Sequence, residues 1–275
     1  MSRWRKLLWI ALVPVTGASL FGLTGCQDGL VSIDQPTEIR IGQQAAADIE
    51  AQYGVVNDPV QTPRVQRIGR AIAAVTTRPT LPWTFKILNT TEVNAFSLPG
   101  GPVYVTRGLL SLNIPDNELA GVIGHEVAHI QDRDSVHAIE RAMTYQLLAE
   151  LVLGQSSSAL RAAADLAVEY AIQLPKSRDA EYASDSAGIR LAYNAGYPAN
   201  GLLLFLQRLQ AMQGRQQTPE WLSTHPLTAE RVTRAEQIVA QVSGQPRPVP
   251  VVLIEVGEKR NPQPVPASDA VERTK

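Results

Sequence analysis

The chain has a single cysteine, Cys26, in 275 residues. An intramolecular disulfide is therefore excluded, and so is a metal site built from several thiolates. Aromatic residues make up only 5% of the chain, too few for a base-stacking surface. Excess charge is missing too. The formal net is −1, and it becomes −4 once the first 25 residues, with Arg3, Arg5, Lys6 and no acid, are set aside. With no basic field to draw in phosphates, nucleic acid is excluded as a partner. Long apolar runs are scarce beyond the N-terminal segment, and Leu147–Leu153 is interrupted by Glu150. What remains is an ordinary globular composition, 44% hydrophobic, with enough chain for one sizeable core.

The first 26 residues read as an address. Met1–Lys6 is positively charged and Leu7–Leu23 is mostly apolar, interrupted by Pro14 and Gly17. That layout is a secretory signal, and about seventeen apolar residues are at the short limit for a permanent span. Leu23-Thr24-Gly25-Cys26 resembles the bacterial lipobox. This resemblance implies cleavage before Cys26, lipidation of its thiol, and a mature lipid-anchored protein on the periplasmic side of the cell envelope. Gln27 in place of Asp favours the outer over the inner membrane in a Gram-negative cell. Residues 26–36 are expected to form a tether, residues 37–243 a folded domain, and residues 244–275, rich in proline, a mostly disordered tail.

Within that domain the patterning predicts an α+β fold, predominantly helical. Helical spacing marks Thr37–Tyr53 and Pro63–Val75. Three short strand-forming runs, Trp83–Leu88, Asn94–Leu98 and Val103–Thr106, predict a small antiparallel sheet, with Pro99-Gly100-Gly101-Pro102 as its turn. From Asp116 the chain is helical: a helix opening at Asp116, then 136–153, 159–174, one from Ser177 to near Gly196, one from Asn200, and one from Thr228 to Ser243. Val251–Val256 is a further candidate strand.

His125-Glu126-Val127-Ala128-His129 is an H-E-x-x-H motif. Residues four apart share one helix face, about 6 Å apart along the axis. Two imidazoles can then meet one tetrahedral zinc ion, and the glutamate beside them can act as a base. The apolar flanks Leu119, Val122, Ile123, Val127 and Ile130 predict a buried helix, where two histidines and an acid are costly without a partner. A third ligand is needed. Asp132 and Ser135 stand where an extended Gly and His motif would fall, and His137 lies about 12 Å beyond His129 on a continuing helix. Glu181 and Asp185, again four apart, can face the first helix, although an exposed acidic pair has the same spacing.

From Thr37 to about Ser243 the sequence resembles the HtpX-like and CAAX-prenyl-protease-like zinc metallopeptidases, closest to their soluble periplasmic lipoprotein members. Four segments carry the likeness: Asn94-Ala95-Phe96 with Gly100-Gly101 and Val105–Leu110; Glu118-Leu119-Ala120 through His129; Glu181–Asp185; and Thr224-His225-Pro226 with Arg231. The resemblance implies a gluzincin-type fold with the sheet beside the H-E-x-x-H helix. It implies one zinc ion on His125, His129 and Glu181, with Asp185 holding an imidazole N–H. His225 and Arg231 become candidate oxyanion or substrate-carbonyl donors, with His225 alternatively filling the open zinc position. The strand at Asn94, Ala95 and Phe96 becomes a substrate edge. The expected function is endopeptidase action on unfolded or misassembled envelope proteins, by zinc-bound water with Glu126 as general base. The alternative is an envelope assembly chaperone or scaffold, non-catalytic or dual-role, that keeps zinc for stability.

Overall fold

The computed structural model describes residues 32–154, 156–212 and 219–245. The leader, Cys26, most of the tether, and the tail with Val251–Val256 lie outside the described residues. In chain order the elements are α1 (Gln35–Tyr53), β1 (Val55–Val56), α2 (Gln61–Ala73), β2 (Thr84–Leu88), β3 (Ala95–Ser97), β4 (Pro102–Thr106) and α3 (Arg107–Leu110). Then follow α4 (Asp116–Gln131), α5 (Asp134–Ala142), α6 (Tyr145–Val152), α7 (Ser157–Ile172), α8 (Arg178–Asn194), α9 (Gly201–Met212), α10 (Trp221–Thr224) and α11 (Ala229–Val242). The α+β, mainly helical architecture is as expected, with the H-E-x-x-H helix α4 packed against the sheet.

Capping chemistry sets several boundaries. The Ser177 hydroxyl accepts from Ala180 N at the start of α8, and Thr228 accepts from Arg231 N at the start of α11. Each satisfies a backbone N–H that a helix start leaves open. α1 begins two residues before the expected Thr37, because Asp34 caps it by accepting from Thr37 N at 2.9 Å. The helix expected over 136–153 is instead two. Arg133 takes a left-handed conformation (φ 59°) that ends the first helical run, and the chain turns extended at Met143.

The expectation of a purely antiparallel sheet is corrected. Among the described residues the strand order is β1-β2-β4-β3, and β2 pairs with β4 in parallel, Thr84 opposite Pro102 and Leu88 opposite Thr106. Chain order misleads here because β3 does not fold back on β2. It runs on to the far side, and the Pro99–Gly101 turn then drops β4 between the two. Gly100 (φ 74°) and Gly101 (φ 131°) supply the backbone freedom for that turn. β3 is thus left as an edge strand, paired only through Ala95–Val105, Phe96–Tyr104 and Ser97–Val103.

α4 lies at the centre. Every residue from Glu118 to Ile130 is buried, the apolar ones in the core and His125, Glu126 and His129 turned to the site. Leu119, Val122, Ile123 and Val127 share one core with Ile68 and Ile72 of α2, Phe85 and Val103 of the sheet, and Phe205 of α9. Each such side chain contributes about 1.5–3 kcal/mol on burial. The polar start of α4 is neutralised locally, where Arg208 donates twice to Glu118 at 2.8 Å.

Candidate metal centre and active site

α4 presents His125 and His129 on one face, and α8 packs against that face. The contact is backbone to backbone. A Cβ on Gly188 would lie 2.7 Å from His125 N, and one on Gly124 would lie 2.7 Å from Gly188 O. Glu181, Asp185 and Gly188 fall on one stripe of α8, so the close approach carries both acids to the histidines. The contact is testable. Gly188→Ala forces the helices apart, and zinc affinity should fall on the order of 10-fold by titration against a competing chelator. Unchanged affinity would mean the helix spacing is not limiting.

Four side chains converge: one ligand atom each from His125, His129, Glu181 and His225 lies within 4.8 Å of the others. His125 Nε2 is 3.1 Å from His129 Nε2 and 3.2 Å from His225 Nδ1, while His225 Nδ1 is 2.8 Å from Glu181 Oε1. The outer nitrogens face acids. His129 Nδ1 lies 2.6 Å from Asp134 Oδ2 and 2.9 Å from Ser184 Oγ, and His125 Nδ1 lies 3.0 Å from Asp185 Oδ1. With the outer N–H groups pointing at acids, the Nε2 lone pairs of both rings face inward. Inward lone pairs repel unless a cation lies between them. Burial works against charge at His129, yet Asp134 and Glu181 outweigh it and push the imidazole up to about 9. The centre therefore demands a positive charge, which a proton or a divalent ion can supply. Two imidazoles and a carboxylate at this spacing fit a tetrahedral zinc ion.

Glu126 stands beside this cluster. It is 1% exposed, Ser97 Oγ donates to its Oε2 at 3.1 Å, and its Oε1 has no hydrogen-bond partner. Burial raises its pKa, opposed by the neighbouring histidines and Lys176. Glu181 is held well below the carboxylate range despite its burial, mainly by the His225 and His125 rings.

Arg231, read from sequence as a donor toward substrate, lies elsewhere. It is 1% exposed, and its fork closes on Asp185 at 2.7 and 2.8 Å. Its remaining nitrogen meets Glu181 Oε2 at 2.5 Å and donates to Pro226 O. An arginine committed to two acids from behind positions them and has little left for a substrate. Asn94 is buried at the head of β3, its side chain accepting from Ala95 N, and Phe96 lines the small pocket over Glu126 with Ser97. His137 is exposed on α5, bonded to Glu140, apart from the cluster.

Four residues with roles here escaped the sequence reading: Asp134 and Ser184 behind His129, Ser97 on Glu126, and Trp221. The indole of Trp221 stacks on His225 with ring centroids 4.5 Å apart. Ser184 lies inside the segment already singled out, and a hydroxyl next to the second acid of a ligand helix is a signal worth reading. Asp134 is close only because Arg133 breaks the helix.

The profile of peptidase family M48 matches residues 59–239. The chain belongs to peptidase family M48. It is a zinc metallopeptidase, consistent with a cluster able to hold one ion. Mitochondrial metalloendopeptidase OMA1 of Schizosaccharomyces pombe is 30% identical over 86% of this chain and 73% of its own length. The putative beta-barrel assembly-enhancing protease of Vibrio cholerae is 28% identical over 77% of this chain and 45% of its own. The Escherichia coli beta-barrel assembly-enhancing protease is 25% identical over 74% and 44%. The chain thus spans about half the length of these bacterial relatives. Among the described residues no helix is long and apolar enough to cross a membrane.

Proposed function

We propose that the chain is a lipid-anchored endopeptidase of the cell envelope, held at a membrane through Cys26, that cleaves unfolded or misassembled proteins. The observation that carries the peptidase part is the convergence of His125, His129 and Glu181 beside a buried glutamate with one carboxylate oxygen that makes no hydrogen bond. His125, His129 and Glu181 would hold the ion, and Asp185, Asp134 and Ser184 would orient the rings. When bound, zinc supplies Lewis acidity toward water and the scissile carbonyl. Glu126 takes the proton from the attacking water and returns it to the departing amine. Ser97 fixes one oxygen of Glu126, leaving the other, which faces His225 Nε2 at 3.4 Å without a hydrogen bond, for that transfer.

Substrate recognition follows from β3. An extended peptide can add to this edge through main-chain hydrogen bonds, tolerant of sequence but demanding an unfolded segment. Ser97 ends β3 and bonds Glu126, so a strand added there runs beside the base. The envelope location rests on the leader and lipobox pattern and on likeness to relatives named for beta-barrel assembly.

His225 is fully buried among the ligand atoms. Burial lowers its pKa to about 4, against the pull of Glu181, so it is a neutral nitrogen donor at ordinary pH. In this reading it fills the fourth position and keeps the resting site shut. His225→Ala should then cleave casein several-fold faster than the unaltered protein, and a chelator should stop both. Slower cleavage by the variant would instead make His225 a contributor to the reaction.

A further inference from the structure

Lys176 is the buried cation that the foregoing reaction does not use. It sits in the loop between α7 and α8, 7% exposed, and lines the small pocket shared by Glu126, His129, Ser97 and His225. Its backbone is pinned to the histidine-bearing turn, since Lys176 N donates to Thr224 O at 2.8 Å. Its ammonium donates to Tyr170 O and lies 4.0 Å from the centre of the Tyr170 ring. No carboxylate lies within ion-pairing distance of it among the described residues, whereas the buried Arg231 beside the site has two.

The ordinary role for a lysine here is to cap the last carbonyls of α7. Such a lysine keeps its ammonium in water. This one makes that contact through Tyr170 O, yet it is withdrawn from water and has no anion beside it, a costly arrangement. The reaction supplies what is missing. Attack of water on the carbonyl carbon forms a C–O bond, moves the carbonyl π pair onto oxygen and hands a proton to Glu126. Collapse then breaks the C–N bond, and the proton passes to the leaving nitrogen. Between the two steps the oxygen bears a negative charge that needs a donor. Arg231 is committed behind the ligands. We propose that Lys176 is that donor, a catalytic residue whose ammonium hydrogen-bonds the oxyanion of the tetrahedral intermediate. The proposal rests on the peptidase reading and adds to it the residue that carries transition-state charge.

Burial lowers the Lys176 pKa to about 8, opposed by Glu126, Glu181 and Asp134. The groups facing it are Glu126 and His129 from α4, Asp134 from α5, Tyr170 from α7, Glu181 from α8 and His225 beyond α10. An ammonium required for turnover is lost as pH rises, so the rate should fall on an alkaline limb.

The test compares Lys176→Met and Lys176→Arg with the zinc-loaded full chain, using a fluorogenic peptide and a phosphinic peptide that mimics the tetrahedral state. Lys176→Met should lose about 100-fold in kcat with little change in KM, and should bind the phosphinic peptide correspondingly more weakly. Lys176→Arg should regain most of kcat and shift the alkaline limb upward, because a guanidinium stays charged. The melting temperature of metal-free Lys176→Met should not fall, since a methionine fills the stem's place without a buried charge. Unchanged kcat in Lys176→Met would overturn the proposal. So would a loss confined to KM for peptides with acidic residues, or a lowered melting temperature with loss of zinc. Failure of the peptidase reading looks different: the unaltered chain and Glu126→Gln would then be equally inert.

Discussion

Glu126→Gln is expected to abolish peptide hydrolysis, lowering kcat by about 10³-fold, while leaving one zinc ion per chain. The change is nearly isosteric. Glu126 contributes no atom to the group able to hold a metal, so the ligands are untouched. The Ser97 hydroxyl can still donate to the amide oxygen at the position of Oε2. Burial already disfavours charge on Glu126, so a neutral amide relieves a desolvation penalty and the variant should melt no lower than the unaltered protein. An amide cannot take a proton from water at neutral pH. Zinc content by atomic absorption, melting by calorimetry and cleavage of casein together decide the matter. Hydrolysis that survives in a zinc-replete Gln variant would remove Glu126 from the role of base.

The second large effect is expected at Arg231. It neutralises Asp185 and Glu181 from a position with 1% exposure. Arg231→Met leaves two buried carboxylates facing one another without their counter-charge, a change costing about 3–5 kcal/mol. At this chain length that lowers the melting temperature on the order of 10 °C. The loss should be larger without zinc than with it, because the ion restores part of the missing positive charge beside Glu181. Arg231→Lys should recover only part of the stability, since an ammonium cannot close the two-pronged contact on Asp185. Equal melting of the metal-free Met variant and the unaltered chain would show that the acids are stabilised by other means.

Much of this architecture is legible in local chemistry. Ser177 and Thr228 mark helix starts because their hydroxyls satisfy backbone N–H groups whatever the tertiary setting. The spacing of His125 and His129 needs only a helix to place both rings on one face. Pairing of the strands is another matter. Trp83–Leu88 and Val103–Thr106 look alike whether they run parallel or antiparallel, and only the position of β3 decides. Burial is equally hidden. Arg231 reads as a mobile donor in sequence, and its confinement behind Asp185 depends on how α11 packs on α8. Lys176 gives no local signal, because its nearness to Glu126 arises from the turn that joins it to Thr224.

Gly124 and Gly188 press the two ligand-bearing helices together with no side chain between them. Rotamer changes within such a joint cannot widen the gap between the helices, because there is nothing there to rotate. Parting α4 from α8 would need one rod to slide or lift from the other, a collective event of microseconds to seconds or slower. Exchange with free metal should therefore keep the tempo of partial unfolding, and resistance to stripping should outlast what the ligand set alone would confer.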